Sequence, residues 1–271
     1  MSASFAASVV GVGICAPGMI DWVVARDVLC GRCEWRPDPL PKLDVPLLPP
    51  TERRRVNPAA RLAIAAAAQA VAPWPVDRRA SIASVFASGN GDGDVLAGTL
   101  QTLVDDATAM SPTLFHNSVF NAPAGYWTIA NRSRARSTTV SAGAGSFAAG
   151  VLEATVEVAM TREPVLMVAA DMPFPASLAA FDVTGAAFAA ALLLSPPDDS
   201  TASSFGRLEI AVHEGSPGST GDDVDPAVAT AFRRNPAARA LPLLAAIARG
   251  VPSRMDLPYV DGCYLGMTFT P

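Results

Sequence analysis

The stretch that decides the fold reads SPTLFHNSVFNAPAGYWTIA over residues 111–130 and, six residues later, STTVSAGAGSFAAGVLEA over residues 137–154. Its first part predicts a loop over 111–121 and a helix over about 122–131. Ser137 to Ser141 is β-branched and strand-like, and Ser146 to Met160 has helical spacing. The turn between them is Gly143-Ala144-Gly145-Ser146. A sharp strand-to-helix junction is where strained-turn nucleophiles occur. A serine hydrolase would carry G-x-S-x-G, yet position 148 is Ala. Neither His116 nor His213 has the usual order or setting for a base, so Ser146 reads as a cap of the following helix.

Working outward, residues 5–14 predict a buried strand and 19–29 a short helix. Residues 34–50 are irregular, with six prolines between Pro37 and Pro50. Asn57-Pro58 is a cap and first-turn pair opening an Ala-rich helix over 57–72. Ala80 to Ala87 predicts a strand, Ser88 to Gly93 a tight turn, and Asp94 to Asp106 an amphipathic helix. Val165 to Ala169 and Phe188 to Leu194 read as strands, the second stopped by Ser195-Pro196-Pro197. Strands alternating with helices argue for an α/β domain over 1–197. Beyond it, 198–204 and 215–224 are loops, Arg207 to His213 a strand, Pro236 to Arg249 a helix ended by Gly250, and 263–270 a last strand. These pieces are too thin for a second core, so 198–271 is expected to pack on the same domain.

The chain has 271 residues, a formal net charge of -5, 50% apolar residues and 17% charged ones. That composition excludes intrinsic disorder. It also argues against nucleic acid, whose phosphates call for clustered Lys and Arg. Apolar runs such as Leu62 to Val71 and Ala186 to Leu194 fall well short of the ~18 residues of a membrane span. With no secretory pattern at the start, a soluble cytoplasmic protein is expected. Cys30-Gly31-Arg32-Cys33 lacks the second ligand pair of a zinc site, so no metal is expected. Gly11-Val12-Gly13-Ile14-Cys15-Ala16 fits G-x-G-x-x-A, but Pro17-Gly18 stands where the nucleotide-binding helix would open. Gly89 to Asp94 lacks the closing glutamate of a calcium loop. No cofactor is expected.

Pro112, Phe115, Ser118, Asn121, Ala124 and Gly125 match P-x-x-F-x-x-S-x-x-N-x-x-A-G. Together with the strand and junction that follow, they resemble the N-terminal half of β-ketoacyl synthases, of thiolase-like fold. Val9 to Gly18 and Gly185 to Leu194 are similar to the first and last strands of that half, so the likeness covers roughly 5–197. It implies a thiolase-like half-fold: a mostly parallel central sheet with helices on both faces, plus C-terminal strand-helix-strand additions.

The chain departs from the enzymes at the junction. The nucleophile position falls at Ala144, and a methyl group forms no thioester. The resemblance also implies a second half bearing two catalytic histidines. His116 and His213 lie outside the family's histidine motifs, and the chain ends about where that half would begin. The resemblance is therefore to truncated synthase-like proteins of aryl polyene and related polyketide clusters, similar to chain-length factors. It implies a heterodimer with an active ketosynthase, joined through Ser137 to Ser141, and through that enzyme an acyl carrier protein. Phe115, His116, Asn117, Ser118, Phe120, Asn121, Ser141 and Ser146 become candidates for the acyl pocket or the interface. Phe115 and Phe120 stand open between tunnel and core, whereas Trp127 and Phe147 read as core. Two other readings stay open: a stand-alone hydrolase or acyltransferase using Ser146 or Ser141, and a homodimeric acyl-binding protein.

Overall fold

The computed structural model describes residues 4–181, 184–198, 204–218 and 224–271. Of the two predicted C-terminal loops, 199–203 and 219–223 lie outside the described residues. Strands β1 (Ser4–Cys15), β2 (Ala83–Ala87), β3 (Ser137–Val140), β4 (Val165–Asp171), β5 (Phe188–Ser195), β6 (Gly206–Glu214), β7 (Ser253–Pro258) and β8 (Cys263–Thr270) form one sheet. Its order is β3-β2-β4-β5-β1-β6-β8-β7.

The expected mostly parallel sheet is corrected. Only β2–β3 and β2–β4 run parallel, and the ladders β4–β5, β5–β1, β1–β6, β6–β8 and β8–β7 are antiparallel. The unbroken apolar runs of β1 and β5 mimic parallel strands because helices bury both faces, whatever the strand direction. On one face lie α1 (Trp22–Leu29), α8 (Ser146–Thr161) and α10 (Leu241–Arg249). On the other lie α3 (Pro58–Ala70) and α7 (Ala122–Asn131).

The G-x-G of β1 is a packing device. A Cβ at Gly11 or Gly13 would collide with the carbonyl oxygens of Ala70 and Ala66, so the two glycines let α3 lie directly on the strand. β6 pairs with β1 only as far as Val9. Further along, Gln69 of α3 takes over. Its amide accepts from Ile14 N (3.2 Å) and Trp22 N (3.0 Å) and donates to Ile14 O (2.9 Å). One half-buried amide thus completes β1 and fixes the start of α1.

Several expectations shift. The loop predicted over 111–121 contains α6 (Pro112–Ser118), capped by Ser111, whose Oγ accepts from Leu114 N at 3.0 Å. The helix predicted over 19–29 starts at Trp22, because Asp21 caps it. Short helices α2 (Pro50–Arg55), α4 (Val76–Arg79) and α9 (Pro226–Phe232) add to the predicted elements. The C-terminal part also holds the extra strand β7, and its long helix begins as a 3-10 turn over Ala237–Ala240 before α10. α5 (Gly93–Asp106) forms as predicted, but its apolar stripe faces solvent.

Candidate functional site

The junction after β3 turns through a 3-10 segment, Gly143–Gly145, into α8. Ala144 is exposed there. Tyr259, at the end of β7, closes over its neighbour: a Cβ at Gly145 would collide with the Tyr259 carbonyl. Pro236 and the Gly143 carbonyl both lie against Gly89.

Ser146 is the first residue of α8, and its hydroxyl does not cap the helix. Buried at 1% exposure, it accepts from Ala142 N (2.9 Å) and faces the carbonyls of Gly143 (2.8 Å) and Ser88 (3.1 Å). It staples the turn to the end of β2. Ser141 is exposed. His116 meets Tyr126 edge-on at 5.6 Å, and His213 stacks on Tyr264 at 5.1 Å. Among the described residues, no hydrogen bond joins a histidine to Ser141 or Ser146.

Beside the junction a cavity of about 220 Å³ opens between α3, α5, the α6–α7 segment and the ends of β2 and β4. Ala59, Ala63 and Phe86 form its apolar wall, and Asn117, Ser118 and Phe120 line it from the segment singled out in the sequence. Asn117 is buried and joins three helices. Its amide donates to Arg55 O (2.9 Å) on α2 and accepts from Tyr126 Oη (2.9 Å) on α7. Ser118 Oγ bonds back to Phe115 O within α6. Phe120 packs beside Gly91, whereas Phe115 is 65% exposed and is not part of the cavity lining. Asn121 stands before α7 without capping it.

The opposite rim rests on Asp171, a residue the sequence reading did not single out. Asp171 Oδ1 accepts from Ser88 Oγ (2.8 Å), Gly89 N (2.8 Å) and Asn90 N (3.0 Å). Burial pushes its carboxyl up to about 6, against the pull of these donors. Asp92, next along the rim, caps α5 through Val95 N (2.9 Å), and burial raises its carboxyl as well.

The outer side of this region is apolar and open. Leu96, Leu100, Leu103 and Val104 form the exposed stripe of α5, with Val104 82% and Leu103 51% exposed. Phe115, Val119, Phe120 and Ile129 continue it. α5 packs on α6, α6 on α7, and α7 on β3. β3 is an edge strand, so its outer backbone groups are unpaired within the sheet. Among the described residues, no helix is long and apolar enough to cross a membrane, and no cluster of three or more His, Cys, Asp or Glu side chains could hold a metal.

The sheet, its two helical layers and the glycine-rich junction define a thiolase-like ketosynthase fold. The sequence profile described as β-ketoacyl synthase, N-terminal domain, matches residues 31–235, and the chain belongs to that family. The match runs past the 197 boundary of the sequence resemblance.

Among the solved structures that share the fold are the following three. One is a ketosynthase (ApeO) in complex with its chain length factor (ApeC) from Xenorhabdus doucetiae. It is 22% identical, has a TM-score of 0.69, and the match covers 97% of this chain and 98% of that chain. The ishigamide ketosynthase/chain length factor is 14% identical, with TM-score 0.70 and coverage of 98% and 99%. A type II polyketide synthase acyl-carrier protein in complex with its ketosynthase bound to the hexaketide (AntDE:AntF) is 13% identical, with TM-score 0.74 and coverage of 100% and 99%. No curated protein sequence matches the chain.

Proposed function

We propose that this chain is a catalytically silent, chain-length-factor-like subunit that pairs with an active β-ketoacyl synthase in polyketide biosynthesis of the aryl polyene type. The observation that carries the pairing is the solvent-facing apolar stripe of α5, joined through α6 and α7 to the open edge of β3. Contiguous exposed apolar surface of this kind marks an interaction site. An open edge strand at the far end of that chain of contacts adds directional backbone hydrogen bonds. Silence follows from Ala144, which supplies no nucleophile, and from a Ser146 hydroxyl committed to the turn. The partner brings the chemistry and, with it, the acyl carrier protein in the cytoplasm. The cavity behind Phe120 then walls part of the space for the growing acyl chain. The ketosynthase/chain length factor complexes among the solved structures support this reading.

The test is co-expression with the neighbouring ketosynthase. The two chains should co-purify, and Leu100→Glu with Leu103→Glu should abolish the complex while leaving this chain folded, because both leucines are already solvated. Two stable, separate species would overturn the pairing. A homodimer disrupted by the same substitutions would favour self-association instead.

A further inference from the structure

A second concavity, of about 510 Å³, lies outside the region assigned to the partner, between α9, the Ala237–Ala240 turn, α10 and β7. Its floor is Phe232, Leu241 and Leu257. Phe232 is held rigid by edge-on contacts with Phe188 (5.3 Å) and Trp35 (5.8 Å). Asn235 also lines it, but both ends of its amide are consumed. Nδ2 donates to Asp171 O (3.0 Å) and Ala186 O (2.8 Å), and Oδ1 accepts from Ala237 N (2.9 Å) and Ala238 N (3.3 Å). The charged groups of the lining are the guanidiniums of Arg233 and Arg239. Among the described residues, no acidic side chain lines the groove and neither arginine is in an ion pair.

Two always-charged forks over a rigid apolar floor match an anion with an apolar tail. The volume suits a small amphiphile. We propose that this groove binds a medium-chain carboxylate, with its tail across Phe232, Leu241 and Leu257 and its carboxylate between Arg233 and Arg239. The site is independent of the acyl cavity behind Phe120 and does not rest on the pairing with a ketosynthase.

Calorimetric titration of the full chain with decanoate below its micellar concentration, against decanol, tests it. Decanoate should bind at one site at least about tenfold more tightly than decanol, the scale of one charge-assisted hydrogen bond. Arg233→Gln with Arg239→Gln should abolish that preference. Ala229→Phe, which narrows the groove from its exposed wall, should weaken both ligands. Ala59→Phe, in the acyl cavity, should leave the preference intact. Equal affinity for the two ligands, a preference that survives the double arginine variant, or one lost in Ala59→Phe would overturn the proposal.

Discussion

Ser88 and Asp171 form a two-step clamp: Ser88 Oγ donates to Asp171 Oδ1 at 2.8 Å and accepts from Gly91 N at 2.9 Å. The end of β4 thereby shapes the turn that rims the cavity behind Phe120. Asn235 binds the backbone of the same aspartate from the C-terminal segment. Three parts of the chain distant in sequence therefore meet at one buried aspartate.

That carboxyl predicts a pH dependence. Its pKa is about 6 in the folded chain against the ordinary 3.8. A raised value means that the folded state holds the proton more tightly. The contribution is fully present below pH 3.8 and is lost as pH rises through 6, by roughly 3 kcal/mol from a shift of about two units. Denaturant melts at pH 4 and pH 7.5 should show wild type losing stability relative to Asp171→Asn over that interval. Parallel curves would refute the assignment.

The Asn117–Tyr126 pair predicts non-additivity. Asn117→Ala removes the acceptor of a fully buried phenol hydroxyl, and an orphaned polar group of this kind costs about 1–3 kcal/mol. Once that hydroxyl is orphaned, deleting it with Tyr126→Phe should recover part of the loss. A double-mutant cycle from urea melts reads the coupling directly.

Chain length should follow the cavity wall. Ala59→Phe fills space beside Ala63 and Phe86, and each methylene denied burial forfeits ~0.8 kcal/mol. In the reconstituted pair with a ketosynthase, product analysis should show shorter chains at an unchanged extent of complex formation. An unaltered product distribution would remove this cavity from the acyl path.

Ser146→Ala separates structure from chemistry. It leaves Ala142 N without its buried acceptor and should destabilise the chain by about 1–3 kcal/mol. The rate of the reconstituted pair, measured well below the melting temperature, should not change. A selective loss of turnover by the folded variant would instead support a serine nucleophile.

The 111–154 stretch disclosed the junction, α7, β3 and α8 because period and β-branching agree there with the fold. It concealed α6, although Ser111-Pro112 is the same cap-and-proline pair as Asn57-Pro58, which opens α3. Asp225-Pro226 before α9 is a third instance. The strand directions were not legible, since two-sided burial erases the alternation that betrays an antiparallel strand. Of the proposed site residues, Asn117, Ser118 and Phe120 do meet at one cavity. His116, Ser141 and Asn121 lie outside its lining, and Ser146 belongs to the turn. Asp171 and Gln69 escaped notice because their roles depend on partners dozens of positions away, which no local spacing records.

The position of β1 sets a timetable for synthesis. It is made before the other strands of the sheet, yet it lies in the sheet's interior, with Ser8 opposite Ser195 on β5 and Ser4 opposite Ala211 on β6. At 5–20 residues per second, a ribosome takes on the order of 10–40 s to deliver those neighbours. Through that interval the nascent chain carries an apolar strand with both edges open. Chaperone capacity during translation, rather than the stability of the finished fold, should therefore limit the yield of this protein in a foreign host.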